Sequence, residues 1–156
     1  MTIIIIERKI TYSQALKELL LVSFPKAEIE LYRDFSQFNS LEKLTNEVVI
    51  FEATEENSTI LAEFLHKKAN HNLTFIALTD TVLERFSLET ILMGVSSILR
   101  KSQPIENLCE EVKLILRGSE VIPKNLFNEI KAEIKKTKSE KESRFSTFLK
   151  NILIKN

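Results

Sequence analysis

Four apolar runs of this 156-residue chain stop at residues that can carry chemistry. Thr2 to Ile6 breaks off at Glu7-Arg8-Lys9, and residues 48–51 run into Glu52. Residues 73–78 end at Thr79-Asp80-Thr81, and residues 97–99 lie just ahead of Lys101. Short runs of this kind suit strands buried on both faces of a parallel sheet. In such a sheet, ligands and reacting groups gather outside the carboxyl ends of the strands. Glu7 and Glu52 then bring carboxylates, and Arg8 and Lys101 cations, to these ends. Lys101 stands where chemistry can happen; its plainer reading is a solvated lysine.

Amphipathic segments between the runs must hold these ends in place. From Ser13 to Val22, Ala15, Leu16, Leu19 and Leu20 recur at helical spacing, and Pro25 closes the segment. Residues 27–32 alternate weakly as a second strand. Phe35, Phe38, Leu41 and Leu44 predict a short second helix, with Asp34 or Ser36 as N-cap. Ile60, Leu61, Phe64 and Leu65 predict a third helix; Val82, Leu83, Phe86, Ile91 and Leu92 predict a fourth. After Lys101, Pro104 opens a fifth helix with Ile105, Leu108, Val112, Ile115 and Leu116 on one face. Gly118 follows as its C-terminal cap. The order is βα repeated five times, which predicts an α/β fold: a five-stranded parallel sheet with helices on both faces. Right-handed crossovers restrict the topology, and the flavodoxin-like strand order 2-1-3-4-5 is the natural one for five units.

Composition limits the function classes. The single cysteine, Cys109, excludes an internal disulfide framework and, lying between core positions, reads as inert. The apolar run at Ile3 is too short for a signal or membrane segment, so a cytoplasmic protein is expected. His66 and His71 fall in a polar stretch and read as surface residues. Residues 1–123 carry 13 basic and 18 acidic groups, net −5; residues 124–156 carry 9 basic and 4 acidic, net +5. A basic tail can attract nucleic acid, but its interspersed glutamates favour the solvated face of a helix. Within it, Leu126, Phe127, Ile130 and Ile134 form one apolar stripe, and Phe145, Phe148, Leu149, Ile152 and Leu153 form another.

The stretch GVSSILRKSQPIENLCEEVKLILRGSE, residues 94–120, resembles the fifth strand and helix of LuxR/NarL-type response-regulator receiver domains. Those usually read like GADGYLLKDASPEELLEAIRTVLAGE. Gly94, Lys101, Leu108, Val112, Ile115 and Gly118 fall on family positions. The start is similar too, with IERKITYSQALKELLL against the family's VDDHPLVRAGLRALLE. The resemblance spans roughly residues 2–123 and implies the CheY-like fold of five strands ordered 2-1-3-4-5. Residues 1–123 are thereby expected to form a receiver-like domain. Residues 124–156 would be a helical linker or extension, read as a truncated remnant of an output domain.

The departures from the family define the functional expectation. Receivers hold magnesium with two adjacent acids after the first strand; this chain has Glu7 and then Arg8, which reverses a charge. Glu52 stands where the family has its phosphoacceptor aspartate, without the Met-Pro that usually follows. Thr79 and Lys101 keep the family's hydroxyl and cation, and Ile98 replaces its mobile aromatic. Glu7, Arg8, Glu52 and Lys101 sum to zero charge, and a guanidinium beside a would-be magnesium site repels the ion. Without the metal, acyl-phosphate chemistry loses its main charge stabilisation. The expectation is a pseudo-receiver: not an enzyme, without cofactor or metal, and with a degenerate phosphoacceptor pocket of Glu7, Arg8, Glu52, Thr79 and Lys101. It would work independently of phosphorylation, as a homodimer or by docking a protein partner, in transcriptional regulation. Phe145, Phe148, Leu149, Ile152 and Leu153 are the expected association surface. A helix-turn-helix has no room before Asn156, so direct DNA binding is not expected of this chain, nor is a membrane partner. The alternatives are a phosphorylatable receiver using Glu52 and a small flavodoxin-like cofactor binder. The latter would need a phosphate-binding loop after the first strand, and Glu7-Arg8-Lys9-Ile10 offers neither glycine nor hydroxyl.

Overall fold

A computed structural model of the chain describes residues 1–37, 47–54, 73–80 and 97–122, with Leu44, Glu63, Val95, Asn128 and Ala132 as isolated positions. The elements in order are β1 (Thr2–Ile6), α1 (Ile10–Ser23), β2 (Glu28–Tyr32) and a 3-10 turn (Phe35–Gln37). Then come β3 (Val48–Glu52), β4 (Thr74–Thr79), β5 (Ser97–Arg100) and α2 (Ile105–Leu116), which is the helix of the fifth unit. The five strands form one sheet in the order β2-β1-β3-β4-β5, and every neighbouring pair is parallel. Fold class and strand order are as the sequence predicts. The helices expected in the second, third and fourth units lie almost wholly outside the described residues. So does the association stripe Phe145, Phe148, Leu149, Ile152 and Leu153.

Strand alternation divides the apolar residues between two faces. On one face Ile3, Ile5, Ile50, Ile76, Leu78 and Leu99 pack with Leu16 and Leu20 of α1 and with Leu108, Cys109, Val112 and Ile115 of α2. On the other, Ile4, Ile6, Val49, Phe51, Phe75, Ala77 and Ile98 are also buried. Phe51 there meets Phe35, with ring centroids 5.8 Å apart. Burial on both sides explains why the central runs are apolar without alternation.

Local chemistry sets the ends of the helices. α1 begins at Ile10, three residues before the expected Ser13. Lys9 occupies the N-cap without a side-chain cap, while Ser13 is buried inside the helix and its hydroxyl donates to Ile10 O at 3.0 Å. Asp34 does cap the 3-10 turn, its Oδ1 accepting from the N–H groups of Ser36 (2.9 Å) and Gln37 (3.1 Å). α2 ends in a Schellman turn: Gly118 N–H donates to Ile115 O at 2.9 Å and Ser119 N–H to Leu114 O at 3.0 Å. Gly118 has φ 96°, a left-handed conformation that favours glycine.

Candidate functional site

Parallel register brings the polar strand ends together. Ile6 lies opposite Phe51, which places Glu7 beside Glu52, and Thr79 lies opposite Arg100, one residue before Lys101. The backbone holds this end beyond the strands. Glu7 N–H donates to Tyr32 O (2.9 Å), Ala53 N–H to Leu78 O (2.8 Å) and Lys101 N–H to Thr79 O (2.9 Å). All five residues singled out from the sequence therefore converge at the carboxyl end of the sheet. Glu7, Glu52, Thr79 and Lys101 are buried, while the Arg8 side chain is 58% exposed.

Lys101 is the centre of the charge arrangement. Its Nζ lies 2.7 Å from Glu7 Oε2, 3.6 Å from Glu52 Oε1 and 3.8 Å from Asp80 Oδ2. The ring of Tyr12 covers the ammonium with its centroid 4.8 Å away, a cation–π contact. Glu7's other oxygen, Oε1, accepts the Lys9 N–H at 2.9 Å. Arg8 grips Glu52 with two donors, Nε to Oε2 at 3.0 Å and Nη2 to Oε1 at 3.3 Å. The planar fork of a guanidinium suits this double hold on a carboxylate. At the rim, Lys9 Nζ lies 4.0 Å from Asp80 Oδ2.

Burial alone would raise the Glu52 carboxyl. The hydrogen bonds from Arg8 and the charge of Lys101 outweigh it, so the group titrates below the usual carboxylate range. The Tyr12 phenol is pushed up, first by burial and then by the charges of Glu7 and Asp80. Burial also drives the Cys109 thiol up to about 11, so the inert reading of that cysteine fits its surroundings. Among the described residues, no group of three or more His, Cys, Asp or Glu is arranged to hold a metal ion.

Two members of the set were not singled out as site residues. Asp80 directly follows Thr79 at the end of β4, and that position was a signal in the sequence. Tyr12 falls just ahead of the helix that the sequence places from Ser13, and nothing local announces that its ring will lie over a lysine 89 residues away.

No family model and no curated protein matches the sequence. Among solved structures, the chain is similar to a LuxR family DNA-binding response regulator from Silicibacter pomeroyi. Identity is 16% and the TM-score 0.63, over 80% of this chain and 98% of that one. It is also similar to the isolated REC domain of RcsB from Salmonella enterica serovar Typhimurium, determined with phosphomimetic BeF3-. That match has 16% identity and a TM-score of 0.65, over 81% of this chain and 95% of the other. A third is the signal receiver domain of a DNA-binding response regulator from Colwellia psychrerythraea 34H, at 21% identity and TM-score 0.61, over 74% and 98% of the two chains. The chain thus has the fold of receiver domains.

Proposed function

We propose that this chain is a receiver-like regulatory protein that does not take up a phosphoryl group and acts by associating with a second copy or a protein partner. The observation that carries the reading is the state of Glu52, whose two carboxylate oxygens are both held by cations. Arg8 engages both of them, and Lys101 lies near Oε1. A carboxylate so engaged must lose those partners before it can attack phosphorus in line. Glu7 fits magnesium no better, because Lys101 and the Lys9 N–H already occupy its oxygens. A divalent ion between Glu7 and Glu52 would also meet the Arg8 guanidinium and the Lys101 ammonium at close range. The internal cations thus take over the charge balance that a metal provides in a phosphorylatable pocket.

The DNA-binding response regulators among the similar structures support a role in transcriptional control, exercised here through protein association. The basic, striped segment after residue 123 is the natural surface for it. The test is incubation with a small-molecule phosphodonor and magnesium, read by intact mass. No mass gain is expected, for the wild-type chain or for Glu52→Gln. A one-phosphoryl gain lost in Glu52→Gln would establish the alternative, a phosphorylatable receiver using Glu52.

A further inference from the structure

Three carboxylates surround the Lys101 ammonium, and distance separates them. Glu7 Oε2 lies 2.7 Å from Nζ, within hydrogen-bond reach, whereas Glu52 Oε1 at 3.6 Å and Asp80 Oδ2 at 3.8 Å are not. Charge alone does not make this choice, because every ionised carboxylate attracts an ammonium with the same sign and unit charge. The flexible four-carbon stem of lysine does not make it either. Arg8 competes for Glu52, but its side chain is mostly in water, an open hold on a carboxylate that faces a buried ammonium. A rigid neighbour of Lys101 is needed to fix the pairing.

Tyr12 has the right properties. It belongs to α1, which Leu16 and Leu20 anchor on the sheet, and it packs against the same core. Its ring centroid lies 4.8 Å from Lys101 Nζ. Its hydroxyl is buried and makes no hydrogen bond among the described residues. What Tyr12 offers the pocket is therefore its ring face, not its polar end. The receiver pattern that this stretch resembles has valine at the position of Tyr12, so the ring is a feature of this chain. We propose that Tyr12 is a positioning residue whose ring commits the Lys101 ammonium to Glu7 and thereby leaves Glu52 to Arg8. This builds on the proposed function, in which Glu52 is held by cations, by naming what decides which cation holds it.

NMR titration of the Glu52 carboxyl in the full chain tests it, with Tyr12→Phe and Tyr12→Leu set against wild type. Tyr12→Phe keeps the ring face and is expected to leave the titration in place. Tyr12→Leu removes the ring face and is expected to release the ammonium toward Glu52. The acid dissociation constant of Glu52 should then rise about fivefold, the scale of one cation–π contact. In the Tyr12→Leu background, Arg8→Ala should raise the Glu52 titration less than it does in the otherwise wild-type chain, because Lys101 has taken over the carboxylate. Leu20→Ala, in the core away from the pocket, should lower stability without moving the titration, which separates positioning from general loosening. If Tyr12→Leu leaves the Glu52 titration at its wild-type position, or if Tyr12→Phe moves it as far as Tyr12→Leu does, the proposal is overturned. Tyr12→Met, unbranched and adaptable in a core, replaces Tyr12→Leu if that variant does not fold. The phosphodonor experiment is read by mass and this one by titration, so failure of the proposed function and failure of the positioning role are seen separately.

Discussion

Lys101 is buried and Arg8 is mostly exposed, so their variants should behave differently. The Lys101 side chain is 3% exposed and that of its partner Glu7 is fully buried. Removing the ammonium leaves a buried carboxylate without its cation, so Lys101→Met should cost about 3–5 kcal/mol in urea unfolding. Arg8 is mostly in water, and Arg8→Ala should cost only about 1 kcal/mol while raising the Glu52 carboxyl toward its ordinary value. The sign of the pH dependence follows from the lowered folded-state value of Glu52. Its stabilisation is fully present above the unfolded carboxylate range, near pH ~4.3, and is lost as pH falls through the lower folded-state value. The acid limb of the stability curve should therefore be shallower in Glu52→Gln, as measured by thermal melts across acid pH. At this scale the sequence was informative where charge types sat at strand ends and silent where chemistry came from a distant element. Glu7, Arg8, Glu52, Thr79 and Lys101 could be read by position; the Tyr12 ring over Lys101 could not, because only the packing of α1 against the sheet end creates it.

Among the elements, the strands were the most legible. The apolar runs of β1, β3 and β4 are buried on both faces, and each observed strand boundary lies within one residue of the expected one. α1 was less so, because its start has no capping side chain. Lys9 stands at the N-cap, and Ser13, a residue type that usually marks a beginning, instead bonds back within the helix. The end of α2 was legible for the opposite reason, since glycine in the left-handed region leaves a clear trace. Nothing lies within 4 Å of a Cβ placed on Gly118, so space is not what selects glycine there. The positive φ is, and Gly118→Ala should cost about 1–2 kcal/mol. Gly118→Asn, which tolerates this conformation better, should cost less. Chemical denaturation of the two variants decides between strain and packing, because a packing defect would penalise the larger asparagine more.

For the whole molecule, association is the property on which the proposed function stands. Phe145, Phe148, Leu149, Ile152 and Leu153 recur at a spacing that puts one apolar stripe on a helix. Left in water, a stripe of this kind forfeits roughly 1.5–3 kcal/mol for each side chain that could be buried. The intact chain is expected to be a dimer by light scattering, and Phe148→Glu/Ile152→Glu a monomer. A monomeric intact chain, with the double variant equally soluble and stable, would remove association through this stripe from the function. The basic face of the same segment would then be the partner surface to examine.

The carboxyl end of the sheet has one more consequence, in how the molecule is seen from a distance. Glu7, Glu52 and Asp80 against Arg8, Lys9 and Lys101 cancel within pairs no more than 4.0 Å apart. Opposite charges this close project almost no potential beyond a Debye length, which is about 8 Å at physiological ionic strength. These six charges together neither attract nor repel an approaching macromolecule from afar. Long-range steering falls to the remaining charges, which are divided unevenly: residues 124–156 carry net +5 against net −5 in the rest of the chain. Added salt should therefore slow encounters made through the basic segment and leave the buried Lys101–Glu7 pair nearly untouched.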